Sequence, residues 1–153
     1  MQFIPSKVNW FNFMKLPSVW WCGVRVTEIT QEKVEVSVKH RWANQNPFRS
    51  MFWAVQGMAA ELATGVLVMR AIAQSGYKIS MLVAQNKAVF SKKATGRIRF
   101  VCRQGSALQP HIDKAVATGE GQVFWLQSVG TDEQGEIVSI FDFEWTIRLK
   151  KQS

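Results

Sequence analysis

Val34, Val36 and Val38 alternate with Glu35, Ser37 and Lys39, a period of two that predicts a half-buried strand. Val24–Ile29 predicts its partner, across the turn Thr30-Gln31-Glu32. Four more strand-like runs follow: Lys78–Phe90, Gly96–Arg103, Gly121–Val129 and Ile137–Leu149. In the last, Ile137, Phe141, Phe143, Trp145, Ile147 and Leu149 are expected on one face, and Asp142, Glu144, Thr146 and Arg148 on the other. Gly130–Gly135 reads as a hairpin loop.

Three segments break this alternation. Ile4–Met14 predicts a short amphipathic helix stopped near Pro17, and Leu108–Thr118 a helix crossing between strands. The third runs from about Ser50 to Gln74, ends at Ser75-Gly76 and is almost wholly apolar. The polar turn Asn44-Gln45-Asn46-Pro47 leads into it. A helix apolar on nearly every side must be covered on nearly every side. The strands can do this only by curling around it, which predicts an α+β domain with an antiparallel sheet wrapped on a central helix. The same run approaches the roughly 20 residues of a membrane span. Glu61 would then lie near the bilayer centre at a cost of about 3 kcal/mol, so no membrane span is expected.

Composition adds limits. At 153 residues, with 47% hydrophobic and 20% charged, the chain reads as one globular domain, 1–153, with a short N-terminal helix. A core of this size needs no disulfide or metal. Cys22 and Cys102 form no CxxC pair, and the N-terminal stretch lacks a secretory pattern, so a reduced, cytoplasmic protein is expected. The net charge of +8 favours an anionic partner: nucleic acid, acidic lipid or a phosphorylated ligand. The densest cations, Lys92, Lys93, Arg97, Arg99 and Arg103, are interrupted along a strand, and no nucleic-acid module accompanies them. Nucleic acid is therefore disfavoured.

The candidate chemistry centres on Glu61, the carboxylate of the apolar helix. Helical spacing puts it on one stripe with Ala54, Gly57 and Gly65, all small. Burial beside such a stripe raises a carboxyl pKa, which suits a general base or a shared proton. A structural role fits the same residues: Glu61 paired with an arginine or a backbone amide, the stripe packed on the sheet. The residues alone leave both open. His40 and His111 make no triad and no metal set, and no metal site or cofactor is expected. Cys102 alternates with Phe100 and Ile98 and reads as core. Trp10, Trp20, Trp21 and Trp42 read as packing around the first elements, or as an aromatic lining for an acyl group.

The element order, two strands, a long helix and four strands with an Asn turn before the helix, resembles the hotdog fold. More narrowly, the chain resembles the small acyl-CoA thioesterases of the phenylacetate-pathway type and the uncharacterised thioesterase-like group near them. That family runs Asn, then His-Gly-Gly, then an acid seven residues on. Asn46 falls at the Asn, Phe52-Trp53-Ala54 at His-Gly-Gly and Glu61 at the acid. The resemblance implies an acyl-CoA or acyl-carrier thioester as substrate, with coenzyme A as part of the substrate rather than a cofactor. It implies Glu61 as base or nucleophile, Asn46 as orienting residue and the backbone N–H groups of Trp53 and Ala54 as oxyanion donors. Gly57 and Gly65 would keep the helix face narrow. It implies a site shared across a two-fold homodimer, with a tetramer as the alternative. Phe52-Trp53-Ala54 departs from the family pattern: the His is lost, and Trp and Ala replace the glycines. Backbone donors survive that change, but access to them is altered. A non-catalytic acyl-CoA or fatty-acyl binder is therefore the alternative function.

Overall fold

The computed structural model describes residues 2–150; Met1 and residues 151–153 of the expected domain lie outside the described residues. Two helices lead, α1 (Pro5–Lys15) and α2 (Pro17–Trp21), followed by strands β1 (Arg25–Ile29) and β2 (Val34–Lys39). The long helix α3 (Trp53–Ser75) comes next, then β3 (Ile79–Phe90) and β4 (Arg97–Cys102). Helix α4 (Gln109–Thr118) crosses to β5 (Gln122–Thr131), and β6 (Ile137–Leu149) closes the order. The six strands form one antiparallel sheet in the order β1-β2-β4-β5-β6-β3. It wraps α3, and this is the hotdog fold.

α3 is the centre of the core. Val55, Ala59, Ala60, Ala63, Val66, Leu67 and Val68 are buried on it, against Val36, Ile98, Phe100, Leu126 and Phe141 of the sheet and its surroundings. The helix is long and apolar enough to cross a membrane, yet 61% of its most apolar window is buried inside the domain. Two buried hydrogen bonds fasten it to β6. Ser139 Oγ donates to Gln56 Oε1 at 2.7 Å, and Trp145 Nε1 donates to Thr64 Oγ1 at 3.0 Å. Polar groups this deep are tolerated because each finds a partner. Gly76, at φ 74°, takes the left-handed turn that ends α3.

The two sheet edges differ. The outer edge of β1 is covered by α1: Asn9 Nδ2 donates to Val26 O at 2.8 Å, and Val26 N–H donates to Asn9 Oδ1 at 2.9 Å. The side-chain amide thus stands where another strand's peptide would. Among the described residues, β3 has no neighbour beyond β6.

Three local expectations change. The long helix begins at Trp53, not Ser50, because residues 45–51 close a loop through a Gln45–Met51 bridge. Ile137 is exposed and Val138 is buried, because the β5–β6 register shifts between Gly130 and Thr131. Trp10, Trp21 and Trp42 are exposed, Trp10 with its ring centroid 5.4 Å from that of Phe13; Trp20 packs with Phe13 at its edge and the Arg25 guanidinium 3.5 Å from its ring centroid.

Candidate functional site

Asn46 builds the start of α3. Its Oδ1 accepts from the N–H groups of Phe48, at 2.9 Å, and Ser50, at 3.2 Å. Its Nδ2 donates to Ser50 Oγ at 3.0 Å and Met51 O at 3.3 Å. This network lets Arg49 sit at φ 59° and aims the chain into Phe52, the residue before the helix. The N–H groups of Val55 and Gln56 donate to Phe52 O. Those of Trp53 and Ala54 have no acceptor among the described residues, as expected of the first turn of a helix. Trp53 is 57% exposed and stands outward. Asn46, Trp53, Gln56, Phe90 and Lys93 line an open hollow of about 530 Å³.

Glu61 lies two turns further along α3, over a different hollow. It is partly buried and shares a cavity of about 100 Å³ with Asn12, Leu62, Gly65, Met81 and Trp145. Helix α1 roofs this cavity through Val8, Phe11 and Asn12. Among the described residues the Glu61 carboxylate forms no ion pair. Beyond the backbone bonds of the helix, the one hydrogen bond at this residue among the described residues is Thr64 Oγ1 donating to its backbone carbonyl, at 2.9 Å. Burial without a partner holds its carboxyl above the ordinary carboxylate range. The arginine or backbone-amide partner of the structural reading is not there among the described residues.

The small stripe does two things. A Cβ at Gly57 would lie 3.5 Å from the Phe141 ring, so that position packs on the sheet. A Cβ at Gly65 would lie 3.3 Å from Trp145 and 3.5 Å from Glu61 Oε1, so Gly65 leaves room for both. Of the two glycines, only Gly65 lines the Glu61 cavity.

The remaining candidates have other work. Lys92 pairs with Asp132 at 2.6 Å and with Glu136. Its hydrogen bond raises its own pKa and lowers that of Asp132. Arg99 pairs with Glu35 at 3.5 Å, and Arg97 donates to Ser37 Oγ at 2.8 Å. Burial pushes the Cys102 thiol up to about 11, which keeps it a core residue. No group of three His, Cys, Asp or Glu side chains that could hold a metal ion occurs among the described residues.

Residues 6–147 match the family model described as "Domain of unknown function (DUF4442)". The chain belongs to this family. No curated protein matches it. Among solved structures, the DUF4442 chain resembles a Pseudomonas aeruginosa protein of unknown function described as a probable thioesterase. The two are 21% identical with a TM-score of 0.82, over 96% of this chain and 97% of that one. A Chlorobaculum tepidum protein of unknown function gives a TM-score of 0.82 at 15% identity, over 95% and 94%. A Haemophilus influenzae thioesterase gives 0.73 at 10% identity, over 97% and 93%. At such identities these likenesses establish the fold.

Asn12 of this DUF4442 protein belongs to no motif in the sequence. Its signal is a spacing of four from Val8, which puts a polar side chain on the buried face of α1. Asn12 is 4% exposed, and its Nδ2 has no hydrogen-bond partner among the described residues.

Proposed function

We propose that the protein hydrolyses an acyl thioester, of coenzyme A or an acyl carrier, with Glu61 as its base. One observation carries this reading: Glu61 is a partly buried carboxylate on the central helix, facing a cavity, with no ion pair among the described residues to explain it. In the step, Glu61 takes a proton from a water whose oxygen attacks the thioester carbonyl carbon. The C–S bond then breaks, and the proton passes to the leaving thiolate. The free N–H groups of Trp53 and Ala54 are the oxyanion donors. Asn46 serves indirectly, through the loop that sets where those donors point. Lys93, beside Trp53, offers a cation to the coenzyme A phosphates.

The helix start and Glu61 are separated by about 10 Å along the axis, and their two hollows share no lining residue. This supports a site made by two chains, with one chain's Glu61 opposite the other's helix start. A pairing of β3 edges is the route to it.

The test is turnover of a broad acyl-CoA panel by the purified protein. Hydrolysis is expected, with Glu61→Gln lowering kcat by about 10²–10⁴-fold. No turnover of any member, or equal turnover by the variant, would sink the reading. A second reading, an acyl binder without catalysis, is favoured by Phe52-Trp53-Ala54 and by the full use of the Asn46 amide in its own loop. Tight acyl-CoA binding without turnover would select it.

A further inference from the structure

We propose that Asn12 is a ligand-contacting residue: its Nδ2–H donates to the carbonyl oxygen of an aliphatic acyl group whose chain runs away from Glu61 between α3 and β3. The inference deepens the thioester reading and rests on it for the nature of the ligand.

Asn12 is buried in the roof of the Glu61 cavity with its donor group unmatched among the described residues. Buried amides are nearly always matched, and an unmatched one calls for an explanation. A ligand oxygen in the cavity supplies one. The backbone of α1 is held in place one turn earlier, where Asn9 clamps Val26. Asn12 is therefore on a fixed element and lines a space that already holds the proposed base, and a half-turn of its amide presents the donor to that space.

The rest of the space fits an acyl chain. About 100 Å³ beside Asn12 is the liquid volume of roughly three waters, enough for a carbonyl and its first carbons. Phe3, Met69 and Met81 line this cavity too, and they also line a second hollow of about 290 Å³. That hollow continues past Ile72, Ala73 and Ile79, with no charged or amide side chain in its lining. Two thioethers at the neck are soft enough to let a chain through. One polar end and one long apolar run match an acyl group and nothing more polar.

The experiment is calorimetric titration of the whole protein with two non-hydrolysable probes. One is the ketone analogue of decanoyl-CoA, in which a methylene between sulfur and carbonyl blocks hydrolysis. The other is S-decyl-CoA, which has no carbonyl. The wild-type protein is expected to bind the ketone about tenfold more tightly. Asn12→Leu, and the smaller Asn12→Ala, are expected to lose most of that preference while holding S-decyl-CoA unchanged. Ala73→Trp, which lies in the second hollow only, is expected to weaken the ten-carbon ketone and to spare its two-carbon counterpart. A wild type with no preference for the ketone overturns the proposal. So do Asn12 variants that keep the preference, or that lose both probes equally, which is the mark of a merely structural role. Decanoyl-CoA turnover, read separately, distinguishes the two claims. Absent turnover with an Asn12-dependent preference leaves this inference standing and removes the thioesterase reading; turnover without that preference does the reverse.

Discussion

Glu61 loses water on folding and gains no partner among the described residues, so the folded chain binds its proton more tightly than the unfolded chain does. The sign follows from that. The protonated form's contribution to stability is complete below the ordinary glutamate value, and it is lost as pH rises through the raised one. Glu61→Gln keeps the shape and cannot ionise. Its melting temperature is expected to match the wild type in acid and to exceed it at neutral pH. Thermal melts across that window check this, and a constant offset at every pH would refute it. Asn12 has a similar imbalance without a charge. Replacing it by leucine removes a buried donor that has no acceptor, a stabilisation of about 1–3 kcal/mol. Urea unfolding of Asn12→Leu should show a higher midpoint with an unchanged slope.

Between elements, the contact that matters most for the cavity is α1 on β1. Asn9→Ala removes both amide bonds to Val26, each worth about 1 kcal/mol. The roof over Glu61 should then loosen before the sheet does. Limited proteolysis is expected to cut near residues 4–16 in the variant while α3 and the strands stay protected; cleavage spread over the whole chain would say otherwise. Most of this architecture was readable from periodicity. The valines of β2 show their alternation openly, and an apolar helix demands a sheet around it. The position of Glu61 was readable too, since a lone carboxylate in such a helix stands out. What periodicity hides is local bonding. Nothing in the spacing of Asn46 says that its amide is spent on Ser50 and Met51, moving the helix start to Trp53. The shift between Gly130 and Thr131 turns Ile137 outward for the same kind of reason. Asn12 was visible only as one polar residue on a helix face, and the pattern does not record whether such a residue finds a partner.

For the molecule as a whole, the proposed two-chain site has a sharp genetic signature. Ala54→Pro removes one backbone N–H from the first turn of α3, where proline is tolerated. Alone, Ala54→Pro and Glu61→Gln should each be nearly inactive. In a mixed dimer of the two, one site carries both lesions and the other carries neither. Refolding them together at equal amounts should restore about a quarter of wild-type activity, by random pairing of a two-fold dimer. No recovery would place both groups of one site in a single chain. The unequal sheet edges bear on what forms. Edge strands are templates for further strands, and here Asn9 occupies one edge while, among the described residues, β3 leaves the other open. A chain with one available edge can be extended only once. Pairing through β3 consumes it, and the growth of a ribbon, the route from native sheets to aggregates, stops at two members. The amide of Asn9 is then a terminator as well as a clamp.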